Sequence, residues 1–550
     1  MMKKIFSKIT TLALPALMLL AGTACNDFLE VEPTTSWNND NFYKNAQEVQ
    51  LGLTGIYNYL GLDDTYGQLL PCKFHAGTDE ALYSRHTNEG WPVSLYRHSP
   101  ANLDIEKAWY ALYRGVDAAN NFIAAVPSTP EMEAKQKNEV VAEARFLRAL
   151  FYLDLVRWWG PVPLRLEPTK DIDANNIPAT SVEGVYKAII DDLTFAYQNL
   201  PSAQEQAANK QIGRANKTAA HGILARVYIT MAGYPLQQTE MFKLAAAHCD
   251  SVLLDPLYHL NGAYNKVFRN YITNQYDPAE TLFEVNFQNL RDQGLNEHGR
   301  HGNINGVQFT YGGDGYPYAY AYMQLSVKLK NIYETGDSRY DWNCASYAYD
   351  KKKKDIKRIT NELKWWPGKF RRWEPSNWAD VDTPGNDEPY EVLEPMAAPD
   401  KNFTGVNFPI IRYADVLLMR AEAENEMNGP GNAYTYLNKV RDRAGLGEVN
   451  KTRVNDQVTF RKEIQDERLR ELCFEGVRKH DLIRWGILGK TLEELNMEIE
   501  ASGDFKASNL GYTHLLRAGE NFDASKHLML PYPLQEVANN NQLDQHAEWQ

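Results

Sequence analysis

Hydrophobic side chains recur every three to four residues along much of this chain, which is the spacing of helices with one buried face. The longest such stretch lies within Glu143–Leu164, where no Gly or Pro interrupts the pattern before Gly160-Pro161. Gly followed by Pro is typical of a helix end. The preceding Trp158 and Trp159 are too large to be left in water, so we expect this end to pack against another element.

The same periodicity predicts further helices, most of them in pairs. They cover residues 45–59, 105–126, 181–200, 216–232, 241–254, 413–428, 433–444 and 459–474, the last running into 475–485. Small residues such as Ala219, Ala225 and Ala421 stand where paired helices would cross and allow close contact. The pattern therefore predicts an all-α fold of tetratricopeptide-like hairpins with degenerate repeats. Residues 258–406 are rich in Gly, Asn and Tyr, and there we expect long irregular loops and a strand at 281–287.

The N-terminus has the pattern of a secretory signal. Met1–Ala24 carries three lysines, then an apolar run too short to span a bilayer, then small residues. Cys25 follows directly, where a lipoprotein signal places its acylated cysteine. Cleavage by an ordinary signal peptidase after Gly22-Thr23-Ala24 would instead leave a soluble periplasmic protein. Between these two interpretations we favour lipidation of Cys25.

Composition limits the possible partners. The 550 residues include 71 acidic and 58 basic side chains, for a net charge of -13, and the one basic run is Lys351–Lys354. A nucleic-acid partner is therefore not expected. The cysteines after Cys25 are widely spread without a CxxC motif, which indicates neither a disulfide framework nor a zinc site. Cys249 and Cys473 fall within helical patterns and are predicted to be small core residues.

Charged residues are dense on the predicted helices, at spacings that suit ion pairs. We interpret as scaffold Arg145, Arg148, Arg412, Asp415, Arg420, Glu422, Arg468, Arg470, Glu471, Glu475, Arg478, Asp481 and Arg484. No GxSxG, HExxH, P-loop or dinucleotide-binding motif is present, so neither a catalytic site nor a cofactor is predicted. Asp380–Gly385 with Glu391 copies several positions of a calcium loop, but Pro384 occupies a ligand position. We interpret it as an acidic surface loop.

Several segments together resemble the SusD/RagB family of outer-membrane nutrient-uptake lipoproteins. The first is EARFLRALFYLDLVRWWGPVPL at 143–164, which is similar to the family's signature helix and turn. Matches follow in the same order at 278–284, 334–339, 411–423, 467–485 and 530–540, and 25–30 resembles the mature N-terminus. The resemblance implies a signal peptide at 1–24, an N-terminal region at 25–255, a loop-rich insertion at 256–406 and a C-terminal region at 407–550.

The resemblance also implies a function. Such a protein would be tethered by lipid at Cys25 to the outer membrane, exposed at the cell surface, and would bind oligosaccharide or polysaccharide. It would deliver this glycan to a SusC-like TonB-dependent transporter without catalysis. Two alternatives remain open: a secreted glycan-active enzyme on a helical scaffold, and a scaffold that binds only proteins.

Aromatic side chains in loops are the best candidates for ligand contact, because flat rings cover the apolar face of a sugar at low entropic cost. Tyrosines crowd into YGGDGYPYAYAY at 311–322, where glycines and a proline prevent a regular element. The family places its glycan platform in loops of the N-terminal half and the middle insertion. The candidates in those regions are Tyr83, Trp91, Tyr96, Tyr316 and Tyr318.

Overall fold

The computed structural model describes residues 42–171, 173–209, 211–288, 297–350, 355–378, 381–382, 390–394 and 400–550. The predicted signal peptide, Cys25, Lys351–Lys354 and most of the acidic loop at 380–391 lie outside the described residues.

Helices dominate the described part of the chain. The first half contains α1 (Ala46–Asn58), α2 (Leu103–Ala125), α3 (Ala134–Trp159), α4 (Val182–Asn199), α5 (Ala203–Ala208), α6 (Lys217–Met231), α7 (Met241–Leu253) and α8 (Tyr264–Ile272). The second half contains α9 (Val327–Asn331), α10 (Arg339–Asn343), α11 (Tyr413–Asn428), α12 (Pro430–Arg443), α13 (Gln457–Leu472), α14 (Arg478–Arg484), α15 (Leu488–Ala501), α16 (Leu510–Thr513), α17 (Arg517–Asn521) and α18 (Leu534–Asn539). None of these is both long and apolar enough to cross a membrane.

Local sequence explains where the long helices begin and end. The side chains of Asn45, Asn102, Ser181 and Asn216 cap α1, α2, α4 and α6 by accepting from backbone N–H groups of the first turn. Helix α3 ends at Gly160, whose φ of 72° favours glycine. The predicted packing of this end is confirmed: Trp159 is buried, and its Nε1–H donates to the carbonyl of Pro531 at 3.0 Å.

The predicted hairpins are confirmed. Helix α2 packs on α3, α3 on α4, α6 on α7, and α11 on α12. Small residues permit these contacts: a Cβ added at Gly115 would lie 2.6 Å from the ring of Phe151. The segments predicted at 459–474 and 475–485 are α13 and α14, which are separated between Leu472 and Arg478, where Phe474 and Gly476 adopt positive φ.

The strands are short. Those described form six two-stranded antiparallel sheets. The pairs are β1 (Ala81–Tyr83) with β5 (Met323–Leu325), β2 (Val162–Pro163) with β3 (Ala179–Thr180), β4 (Thr281–Val285) with β12 (Phe408–Arg412), β6 (Cys344–Ala345) with β9 (Trp366–Pro367), β7 (Tyr347–Asp350) with β8 (Asp355–Arg358), and β10 (Trp373–Pro375) with β11 (Tyr390–Val392). The strand predicted at 281–287 is thus β4, and it ties the insertion to the start of α11.

Buried ion pairs join the helices to one another and to the insertion. Arg412 is fully buried and binds Glu280 and Glu475 at 2.7–2.8 Å. Arg468 bridges Asp415 and Asp481 at 2.7 and 2.8 Å. The predicted ion pairs are therefore present, and they run between elements distant in sequence. Cys249 and Cys473 are buried in the core as predicted.

Candidate functional site

Residues 318–322 place three tyrosines on one side of an extended segment. Ala319 and Ala321 are fully buried, while Tyr318, Tyr320 and Tyr322 are partly exposed. This period of two is the pattern of an extended chain with one buried face. We call these three tyrosines the tyrosine ladder.

The rings of the ladder contact one another in sequence order. The Tyr320 and Tyr322 rings stack, with centroids 5.3 Å apart and planes inclined by 8°. The Tyr318 ring meets Tyr320 edge to face at 4.9 Å. Mutual contact restricts the rotamers of all three side chains, which lowers the entropy that a ligand would have to remove.

Hydrogen bonds on both sides hold the backbone of the ladder. The peptide groups of Ala319 and Phe309 exchange two bonds at 2.9 and 3.1 Å. The Ser84 N–H donates to the Tyr322 carbonyl at 2.9 Å, and Arg85 donates to the Tyr320 carbonyl at 2.5 Å. Ala321 has a φ of 50°, which is strained for a residue with a Cβ. The surrounding bonds therefore fix a conformation that the segment would not adopt alone.

Two cationic side chains flank the ladder. The Arg85 guanidinium lies 5.0 Å from the centre of the Tyr322 ring, and the Lys401 ammonium lies 4.9 Å from that of Tyr318. The Tyr320 hydroxyl donates to Asn402 Oδ1 at 3.1 Å. The surface thus combines aromatic area with amide and cationic donors, which suits a ligand with apolar faces and hydroxyl edges.

Three of the five residues predicted for the site lie in the core. Tyr83, Trp91 and Tyr96 are 3–4% exposed. Tyr83 stacks on Trp91 at 5.1 Å, and Trp91 supports Tyr322 from below at 5.9 Å. The Tyr96 hydroxyl donates to the Gly77 carbonyl, and burial raises the pKa of Tyr96. These rings have no open face for a sugar, so their predicted contact with a ligand does not fit the structure.

The other two predicted residues are accessible. Tyr318 is the first ring of the ladder, and Tyr316 lies beside it, partly exposed and 5.4 Å from the ring of Tyr311. Sequence reasoning did not select Tyr320, Tyr322, Arg85 or Asn402. The Tyr-Ala alternation was a usable signal for the two tyrosines, whereas Arg85 and Asn402 reach the site only through the fold.

No group of three or more His, Cys, Asp or Glu side chains that could hold a metal ion occurs in the part of the chain that the structure describes. Of the histidines in the segment 75–98, His75 and His98 are buried among aromatic rings. Asp382, from the acidic loop, pairs with Arg358 at 3.6 Å.

Stacked helical hairpins that carry an aromatic surface on an irregular insertion define a class of helical-repeat proteins with loop-borne binding surfaces. Comparison with known families specifies it further. A model described as "SusD family" matches residues 279–549, and one described as "Starch-binding associating with outer membrane" matches residues 27–229. The chain belongs to the SusD/RagB family.

Individual relatives agree with this assignment. The chain is 27% identical to SusD-like protein P25 of Formosa agariphila, over 97% of each chain. A SusD homolog from Bacteroides thetaiotaomicron has a TM-score of 0.79 at 26% identity, covering 93% of this chain and 98% of that one. A laminarin-binding SusD-like protein has the same fold, with a TM-score of 0.68 at 24% identity over 92% of this chain and all of its own.

Proposed function

We propose that this protein binds an oligosaccharide or polysaccharide at the tyrosine ladder. The single observation that carries the proposal is the ladder itself: three partly exposed rings in mutual contact on a backbone bonded from both sides. Pyranose rings present C–H faces that pack on aromatic side chains, and their hydroxyls accept and donate at the edges. The family assignment supports this choice of ligand, because relatives are described as binding starch and laminarin.

The protein acts by binding without covalent chemistry. Arg85, Lys401 and Asn402 surround the ladder with hydrogen-bond donors and one amide acceptor. A glycoside hydrolase needs two carboxyl groups on either side of the scissile bond. Among the described residues, the ring contacts, cation–π contacts and hydrogen bonds of the ladder side chains involve no carboxylate. We call the stacked helices α1–α4, α6, α7 and α11–α14, with the residues that flank them, the helical frame. Its carboxylates are instead engaged by arginines, as at Glu471 and Glu475.

The N-terminal sequence and the family assignment support a proposed location at the outer membrane. Cys25 is proposed to carry the lipid that tethers the chain to the outer membrane, with the protein exposed at the cell surface. A SusC-like TonB-dependent transporter is the proposed partner, and the helical frame would dock on it. Metabolic labelling with a palmitate analogue should mark the parent protein and be absent from Cys25→Ala.

The test of ligand binding is a glycan array probed with residues 26–550, followed by titration of the best ligand. Tyr320→Ala should lower affinity about tenfold, because one stacked ring supplies roughly 1–3 kcal/mol in comparable aromatic contacts. Tyr234→Ala is the control, since Tyr234 is an accessible tyrosine that lies between α6 and α7 and outside the ladder.

Three outcomes would contradict the proposal. Equal affinity of Tyr320→Ala and the parent would remove the ladder from the site. New reducing ends in the bound glycan would favour the alternative of a glycan-active enzyme. Absence of any bound glycan, together with co-purification of the transporter, would favour a protein-only scaffold.

A further inference from the structure

We propose that a second saccharide site lies in the cleft between α8, α10 and the end of α12, away from the tyrosine ladder. The cleft has a volume of about 830 Å³, enough for several sugar rings. Trp342, Tyr347 and Trp378 line it together with side chains from all three helices. This second site rests on the proposed function, because it assumes that the protein binds glycan. It adds a second place where the glycan is bound.

Aromatic side chains form a connected wall in this cleft. Trp378 is 51% exposed, although a Trp of a folded domain is normally well covered. Its ring meets the buried ring of Tyr347 edge to face at 5.2 Å, so its position is supported from behind. The Arg371 guanidinium lies 4.3 Å from the centre of the Trp342 ring and 5.9 Å from that of Tyr347, and it links the two.

Trp342 also carries a donor that nothing satisfies. The residue is 6% exposed, and its indole Nε1–H has no hydrogen-bond acceptor among the residues that the structure describes. A buried N–H without an acceptor costs about 1–3 kcal/mol. The nitrogen itself is enclosed, so this unpaired N–H belongs to the packing of the cleft wall and is not counted as a ligand contact.

The charged groups of the cleft determine the ligand class. Its buried cations are already engaged: Arg371 donates to Tyr347 Oη and to three backbone carbonyls, and Arg443 binds Glu280 and Glu471. Arg269 pairs with Glu374 at 2.5 Å. Arg358 also lines the cleft and pairs with Asp382 at 3.6 Å. An anionic ligand would have to compete with the carboxylates that already bind these cations.

The polar groups that remain available are acceptors and small polar side chains. Within the described residues, the side chains of Asp341 and Asp442 have no ion-pair or hydrogen-bond partner, and neither do those of Asn265 and Ser338; all four line the cleft and are exposed. Free carboxylates and amides bond the hydroxyl donors of a neutral sugar and repel a uronate. The geometry therefore points to a neutral saccharide beside Trp378.

The experiment uses an array of neutral oligosaccharides (maltoheptaose and laminarihexaose among them) and of oligogalacturonates. It compares the parent with Tyr320→Ala, Trp378→Ala and the double variant. Calorimetric titration with the best neutral ligand should give two sites in the parent and one in Trp378→Ala. Affinity that survives in Tyr320→Ala should fall about tenfold further in the double variant. Asp341→Ala should weaken the same residual binding, and Leu254→Ala, at a residue 82% exposed, is the control.

The outcomes separate the two sites. If Tyr320→Ala abolishes all binding, or if Trp378→Ala leaves stoichiometry and residual affinity unchanged, the cleft site is overturned while the ladder stands. If Trp378→Ala alone abolishes binding, the cleft site stands and the ladder assignment fails. Residual binding confined to oligogalacturonates would overturn the neutral ligand class. Because Trp378 is half-exposed, the melting temperature of Trp378→Ala should match that of the parent. A loss of binding would then be a local effect of the missing ring.

Discussion

The helical frame and the tyrosine ladder use their polar groups in opposite ways. In the frame, Arg412 has no exposed surface and directs its donors to Glu280, Glu475 and the carbonyl of Glu471. In the ladder, the backbone is bonded on both sides, but the hydroxyls of Tyr318 and Tyr322 have no partner among the described residues. The frame directs the donors of Arg412 to its own acceptors, whereas the ladder leaves two hydroxyls available to a ligand.

This difference separates what stabilises the fold from what can bind. Burial disfavours ionisation of Glu471, yet Arg443, Arg412 and Arg339 together hold its pKa below the usual range. Such a cluster is closed to a ligand. The ladder is fixed through its backbone and its buried base of Tyr83 and Trp91, which leaves the outer rings accessible. The two regions should therefore respond differently to substitution.

The largest effect is expected at Arg412. Arg412→Met would remove the cation that Glu280 and Glu475 share, and would leave these buried carboxylates with one partner each, Arg443 and Lys369. Removing one partner of a buried charge cluster costs about 3–5 kcal/mol. Urea denaturation at neutral pH should show this loss in the free energy of unfolding, while any folded Arg412→Met protein should bind glycan like the parent.

The control for Arg412 is an exposed ion pair. Lys187 and Asp191 lie one turn apart on α4, both largely in solvent. Lys187→Met should change the free energy of unfolding by less than about 0.5 kcal/mol. Equal losses in the two variants would mean that burial does not distinguish the frame from the surface.

A pH-dependent effect on stability is expected at His301, which is another buried ionisable side chain. Burial lowers the pKa of His301 to about 4, its ring stacks on Phe408, and its Nε2–H donates to the Tyr66 carbonyl at 2.8 Å. The unfolded chain protonates this imidazole near pH 6.5, but the folded protein does not. Stability is therefore full above pH 6.5 and falls towards pH 4, by about 3 kcal/mol for this residue. His301→Gln should reduce that slope in urea midpoints measured between pH 7 and 4.

Much of the frame could be predicted from the sequence because its signals are local. The segment at 413–428 was predicted to its end residues, since its apolar pattern is flanked by the strand residue Arg412 and by Gly429. Helix α15 was not predicted, and its buried residues pack in a separate small core with Leu515 and Leu516. The turn between α13 and α14 lies at the predicted boundary of 474–475, and a contact distant in sequence holds it, because the Phe474 N–H donates to Glu80 Oε2 at 2.9 Å.

The site could be predicted by region but not by residue. The tyrosine-rich segment predicts the region of the site, but the sequence of an irregular stretch does not show which way an aromatic ring faces. Tyr83 and Trp91 are buried because Tyr322, 231 residues or more away, covers them. Arg85 and Asn402 join the ladder only because β1 pairs with β5 and the 401–402 turn lies alongside.

An intermediate effect is expected inside the ladder, at Ala321. This residue is fully buried at a φ of 50°, and a β-branched side chain is strongly disfavoured there. Ala321→Val should lower the free energy of unfolding by about 2 kcal/mol and also reduce glycan affinity, because it displaces Tyr320 and Tyr322. Thermal melting and titration of the same samples would measure both quantities.

Ala319→Val is the matched control for Ala321→Val. Ala319 is equally buried but is not among the residues with positive φ. Ala319→Val should overpack the core without straining the backbone, so its free energy of unfolding should fall by less than that of Ala321→Val. If the two variants behave alike, strain at Ala321 does not hold the ladder in place.

The smallest effect is expected where the two regions meet, at Tyr83. Its hydroxyl donates to Asn88 Oδ1 at 2.5 Å and ties the exposed 84–90 loop to the base of the ladder. Tyr83→Phe keeps the buried ring and removes this bond, so the free energy of unfolding should fall by about 1 kcal/mol.

Tyr318→Phe is the opposite case. The Tyr318 hydroxyl has no partner among the described residues, so its removal should lower only glycan affinity. Urea denaturation and glycan titration of both variants would test this. An equal loss of stability in Tyr318→Phe and Tyr83→Phe would mean that the ladder hydroxyls contribute to the fold in the same way as those of the frame.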